Sequence, residues 1–144
     1  IMNLKDKIDK INQRSNNTLM QSLGIEITNI VDGCVFGKMP VDTRTVQPYG
    51  LLHGGASAAF AESLGSIGGN IHVFDNNEVV VGVEINANHL KSVKSGWVHG
   101  TASPIRLGKK IHVWDIKIKN DDNELISVSR LTLAVLKIKS SSKS

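Results

Sequence analysis

The segment from His53 to His72 constrains this chain more than any other part of it. It carries the longest helical pattern in the sequence, and the helix it predicts has two unlike sides. Ala56, Ala59, Phe60, Ser63, Leu64, Ile67 and Ile71 recur at intervals of three and four, a stripe that should pack on a sheet. The other side carries Gly54, Ala58, Ala61, Glu62, Gly65, Ser66 and Gly69. A solvated face would hold Lys, Glu and Gln; this one holds small residues and a single carboxylate. A glycine inside a helix costs about 1 kcal/mol relative to alanine. Gly54, Gly65 and Gly69 therefore imply that another backbone, or a ligand, comes close.

The flanking segments supply the sheet. Residues 3–14 place Leu4, Ile8 and Ile11 on one helical face, and a second short helix is expected to stop at Gly24. The apolar runs Ile25–Val31 and Cys34–Pro40 flank Asp32-Gly33, the signature of a tight hairpin. Residues 41–52, with Pro48 and Gly50, read as a loop. Val79, Val81, Val83, Ile85 and Ala87 alternate as a strand does, and further strands are expected at about 96–107, 110–119 and 124–137. Gly108 and Asn120-Asp121-Asp122-Asn123 mark the turns between them. Two strands, a long helix and four strands make an α+β chain with a largely antiparallel sheet. No repeat or linker divides residues 1–144, so they are read as one domain with its core at about 20–137 and a disordered tail at Ser140–Ser144.

Composition narrows the function. A lone cysteine, Cys34, leaves no internal disulfide, fits a reducing cytoplasm and is read as a core residue. No apolar run approaches the ~18 residues a membrane span needs, and Lys5, Asp6, Lys7, Asp9 and Lys10 interrupt any signal-peptide pattern. A cytoplasmic protein without a membrane partner is therefore expected. The net charge is +4, and between His89 and Lys119 the chain carries Lys91, Lys94, Arg106, Lys109, Lys110, Lys117 and Lys119 against one acid, Asp115. That balance favours an anionic partner. Aromatic residues make up only 4% of the chain, too few for a base-stacking platform, so nucleic acid is not expected. The five histidines show no ligand spacing, no G-x-S-x-G elbow exists, and no phosphate-binding loop or dinucleotide fingerprint appears, so neither a metal nor a cofactor is expected.

The central helix is where chemistry is expected. Glu62 and Ser66 are neighbours one turn apart on the small-residue side, and a covered carboxylate can serve as nucleophile or general base. His53-Gly54-Gly55 opens the helix, whose first N–H groups lack helical partners and could stabilise an oxyanion. Gly54 and Glu62 lie eight residues apart, which is ~12 Å along one helix. Both cannot touch one carbonyl carbon unless two copies of the helix run antiparallel across a two-fold axis. A homodimer follows if the chemistry is right.

The segments Gln47-Pro-Tyr-Gly-Leu-Leu-His53-Gly-Gly-Ala-Ser and Ala61-Glu62-Ser63-Leu-Gly-Ser66 resemble the hotdog-fold acyl-CoA thioesterases. Within them the chain is most similar to the branch of 1,4-dihydroxy-2-naphthoyl-CoA and 4-hydroxybenzoyl-CoA thioesterases and the related phenylacetate-pathway proteins. Val81-Gly-Val-Glu-Ile-Asn-Ala-Asn-His89 and Pro104 through Trp114 extend the likeness. It implies an antiparallel sheet of about six strands wrapped around one long helix, in a dimer and commonly a homotetramer. It implies hydrolysis of an acyl-CoA, with an aromatic acyl group such as 1,4-dihydroxy-2-naphthoyl in menaquinone synthesis; CoA is part of the substrate. By position Glu62 matches the catalytic carboxylate and Gly54 the polarising amide. Gln47 and His53 match residues flanking the carbonyl, and Ser66 a hydroxyl that positions water or acyl group. The CoA contacts carry over to Gly82, to His89, Leu90, Lys91 and Ser92, and to Arg106, Leu107, Gly108, Lys109 and Lys110. The alternatives are an acyl-CoA-binding protein without turnover, and a hotdog hydratase or dehydratase, whose motifs are absent here.

Overall fold

The computed structural model describes residues 2–139, so the disorder expected for Ser140–Ser144 lies outside the described residues. Helix α1 (Leu4–Arg14) begins at Asn3, whose side chain accepts the Asp6 N–H at 2.9 Å. It is tied to the sheet by Asn12, which accepts the Ile27 N–H at 2.8 Å and donates to the Ile27 carbonyl at 3.0 Å. Helix α2 (Leu19–Leu23) ends at Gly24, in the left-handed conformation its sequence implies. Strands β1 (Glu26–Val31) and β2 (Cys34–Pro40) join through Asp32 and Gly33, both at positive φ as a type I′ hairpin requires.

Helix α3 (Gly54–Val73) follows the 41–52 loop, and a short 3-10 turn at Phe74–Asn76 leads into β3 (Glu78–His89). Strands β4 (Trp97–Leu107), β5 (Ile111–Asn120) and β6 (Leu125–Lys137) complete one six-stranded antiparallel sheet, in the order β1-β2-β4-β5-β6-β3. Pro104 would interrupt the ladder of a central strand, and it stands where the β4–β5 register breaks. The inner face of the sheet wraps α3. Trp114, Phe60, Met39, Leu64, Ile116, Ile118, Leu131 and Leu133 are fully buried between them. No helix among the described residues is long and apolar enough to cross a membrane.

The sides of α3 are divided differently from the expectation. Ala61, Gly65 and Gly69, assigned above to the open side, are buried against the sheet together with Gly68. A β-carbon at Gly65 would stand 2.6 Å from Leu131, one at Gly68 2.4 Å from Trp114, and one at Gly69 2.8 Å from Leu133. The close approach that these glycines demand is made by the chain's own sheet. Bulky strand side chains take the space, so the helix must be small where it meets them. Ala59, Ser63, Ile67 and Ile71, expected on the packed stripe, are only half-buried. What remains on the open side is Ala58, Glu62 and Ser66, with Ala59 and Ser63 beside them.

Candidate active site

The N-terminus of α3 is held from three directions. His53 donates its N–H to the Thr45 carbonyl at 2.8 Å, and Leu52 donates to Val93 at 2.8 Å. Thr45, itself buried, donates its hydroxyl to the Pro40 carbonyl at 2.7 Å. His53 is the helix cap: its Nδ1 accepts the Gly55 N–H at 2.8 Å, and its carbonyl accepts from Ala56 and Ser57. The Gly54 N–H is left without a partner among the described residues, in the positive end of the helix dipole. The His89 imidazole lies over Gly54, and a β-carbon there would stand 2.8 Å from His89 Nε2. Gln47 turns back into its own loop, its side-chain oxygen accepting from the N–H groups of Tyr49 and Leu51. In this chain it braces the loop that delivers His53.

Two turns further along α3, Glu62 is half-buried and makes no ion pair or hydrogen bond among the described residues. Its carboxylate rests on the backbone of β3 at Gly82, beside the break in the β3–β6 register between Gly82 and Glu84. Ser66 follows it one turn later, also half-buried.

The residues matched to CoA contacts fall at two ends of the sheet. His89 pairs with Ser127, and Ser127 with Ile118; Gly82 pairs with Leu133, Leu133 with His112, and His112 with Leu107. The row of Gly82 therefore continues to the Arg106–Lys110 hairpin, and the row of His89 runs about 20 Å away, six residues along β5. Within one chain Gly54 lies against His89 and Glu62 against Gly82, while Leu107 of the Arg106–Lys110 hairpin lies three strands across the sheet from Gly82.

The basic residues counted between His89 and Lys119 are dispersed for the same reason. Arg106, Lys109 and Lys110 are exposed on the hairpin, while Lys91 is paired with Glu124. Lys117 and Lys119 line a separate cleft of about 460 Å³ with His99, Thr101 and Asp121. There His99 bonds Asp121 at 2.8 Å, which holds the Asp121 carboxyl below its ordinary range. Two groupings were not legible from spacing. His112, fully buried with both ring nitrogens unpartnered, meets His72 edge-on with ring centroids 5.5 Å apart. The other is a cleft of about 250 Å³ between α2 and the start of α3, lined in part by Leu19, Leu23, His53 and Ala59. Cys34 is half-buried rather than in the core, its Sγ 3.4 Å from the Ser103 hydroxyl.

Residues 49–127 match the thioesterase superfamily. The chain is 45% identical to the proofreading thioesterase EntH of Cronobacter turicensis, over 90% of this chain and 93% of that protein. It is 42% identical to the 1,4-dihydroxy-2-naphthoyl-CoA hydrolase of Escherichia coli, over 92% and 96% respectively. A crystal structure of a thioesterase from Haemophilus influenzae superposes with a TM-score of 0.89 at 43% identity, covering 99% of this chain and 96% of that one.

Proposed function

The chain belongs to the thioesterase superfamily of hotdog proteins, and from that premise we propose that it hydrolyses an acyl-CoA thioester to the free acid and CoA. The observation that carries the reading is the pair of half-sites. The Gly54 amide, free and dipole-polarised, suits the thioester oxygen, and the Glu62 carboxylate suits the carbonyl carbon or the attacking water. Within one helix they are ~12 Å apart, too far for one reaction centre, which needs contacts near 3 Å.

A two-fold axis resolves this. Strand β3 is an edge of the sheet, 12 residues long, with Val79, Val81 and Val83 exposed. An unpaired edge of that length invites a second strand. Antiparallel pairing of two β3 strands centred near Ile85 and Asn86 brings the Gly82 end of one chain alongside the His89 end of the other. Each Glu62–Gly82 half-site then faces a Gly54–His89 half-site, and the basic hairpin lies on the same row as Gly82, farther across the sheet. The carboxylate either deprotonates the water that adds to the carbonyl, or adds itself to give an acyl–Glu62 anhydride that water then hydrolyses to the free acid. The Gly54 N–H takes the developing oxyanion, and the CoA thiolate leaves and is protonated. Only water is consumed besides the thioester.

An aromatic acyl group is the finer part of the proposal, with 1,4-dihydroxy-2-naphthoyl favoured by the name of the Escherichia coli relative. Thiol release measured across aryl and fatty acyl-CoAs tests the reaction and the acyl class together. Glu62→Ala and Glu62→Gln should each lose about 10²–10⁴-fold in kcat while remaining folded by circular dichroism. A folded Glu62→Ala protein with near-normal turnover would end the assignment.

A further inference from the structure

We infer that Asn70 is a positioning residue for the reaction, holding edge strand β3 on α3 so that Gly82 stays beneath Glu62. The inference rests on the thioesterase reading and names a residue that acts through that site without touching substrate. Asn70 is exposed near the C-terminal end of α3, and asparagine is a poor helix former. Its side-chain oxygen accepts the Val80 N–H at 3.0 Å, the one side-chain hydrogen bond between α3 and β3 among the described residues. Its amide nitrogen has no partner among them. Only the acceptor oxygen is in use.

That bond falls on the open edge of the sheet. Val80 stands opposite Val135 of β6, yet Val135 donates its N–H to the Lys110 carbonyl. Residues facing each other in an antiparallel pair exchange both bonds or neither, so the Val80 N–H points away from β6. Gly82 shares that orientation two residues on, before the register shifts, and its N–H stays open to a second chain. Val80 also packs beneath Gly69, where a β-carbon would stand 3.0 Å from its side chain. Helix and strand are thus fastened at Asn70 and Val80. Glu62 meets Gly82 two strand residues away, about 7 Å, with no hydrogen bond of its own to hold the match. A shift of β3 on α3 would move Gly82 from the carboxylate and, in the dimer, carry the partner's Gly54 with it.

The test measures kcat and KM on whichever of benzoyl-CoA and palmitoyl-CoA the wild type cleaves faster. The proteins are the wild type, Asn70→Leu, Asn70→Asp, Gly82→Ala and the double variant Asn70→Leu/Gly82→Ala. Asn70→Leu keeps the size and loses the acceptor. Its kcat should fall by about 10–10²-fold, the order that a misplacement approaching ~1 Å costs, with KM kept. Asn70→Asp keeps the acceptor and should restore most of kcat. Both Asn70→Leu and Gly82→Ala disturb the one seat of Glu62, so the double variant should fall little below the slower single one. Asn70 is exposed, so its variants should fold, and Asn70→Ala replaces the leucine variant if melting shows that it does not. Wild-type kcat without the acceptor would overturn the positioning role and leave the thioesterase reading intact. So would equal losses in the leucine and aspartate variants, or losses that multiply in the double variant. A wild type that cleaves neither ester would overturn the thioesterase reading and this inference with it.

Discussion

The Glu62 carboxylate sits on the backbone of Gly82: a β-carbon built there would stand 2.6 Å from Glu62 Oε2 and 3.3 Å from its carboxyl carbon. Helix α3 and edge strand β3 are thus matched at this point, a glycine beneath a carboxylate, where the β3–β6 register shifts. The carboxylate is the far end of a flexible side chain, so Gly82→Ala should displace it at little cost in stability. A misplacement of about 1 Å at a reacting group costs about 10²-fold in rate. We expect kcat to fall by that order, with KM and melting temperature nearly unchanged. A raised KM at constant kcat would instead make Gly82 a CoA contact only.

The half-sites predict complementation between inactive proteins. Glu62→Ala removes the carboxylate and Gly54→Val obstructs the amide, so each homodimer should be dead. In a mixed dimer one site carries both lesions and the other neither. Refolding an equal mixture should restore about one quarter of wild-type activity by random pairing of a two-fold dimer. If mass spectrometry shows mixed dimers and the mixture stays inactive, the shared site is wrong.

Dispersal of the basic residues allows a matched control. Neutralising Arg106, Lys109 and Lys110 to Gln should raise KM for acyl-CoA and flatten its dependence on salt, with kcat kept. Neutralising Lys117 and Lys119, in the other cleft, should change neither. Equal effects from both sets would reduce the hairpin to a contribution of net charge.

His112 predicts an acid-side loss of stability. Burial holds its pKa below the ordinary value, His72 lowers it further, and Glu78 acts in the opposite direction. The unfolded chain therefore binds more protons than the folded one once pH drops below the ordinary histidine value of ~6.5. Its contribution is full above that value and is lost progressively as pH falls beneath it. Replacing His112 by Phe removes two unpartnered ring nitrogens and keeps an apolar ring of similar size. The melting temperature of the variant should fall less between pH 7 and pH 5 than that of the wild type. Parallel curves would assign the acid sensitivity to other groups.

Local pattern was enough for the order of elements. Alternation in β3, Asp32-Gly33 at a hairpin, Gly24 at a helix end and the 3.6-residue period of α3 are set by backbone sterics and by apolar side chains sharing a face, interactions within a few residues of one another. The sequence also offered Glu62 and Gly54 as candidates, because a glycine leaves the free amide of a helix start open and a carboxylate among small residues is unlike a solvated face. Which neighbour each small residue served was a tertiary decision. Gly65 and Gly69 face Leu131 and Leu133 from β6, Gly82 lies beneath Glu62, and Gly54 lies beneath His89. Each pair is joined by strand register and by the seating of a helix on a sheet. The same cause split the basic stretch, since a chain that reverses at Gly108 and alternates along β5 sends residues close in sequence to different ends and faces. Periodicity can say that a helix has a side that must be approached closely, but the volume of the side chains across from it decides what approaches.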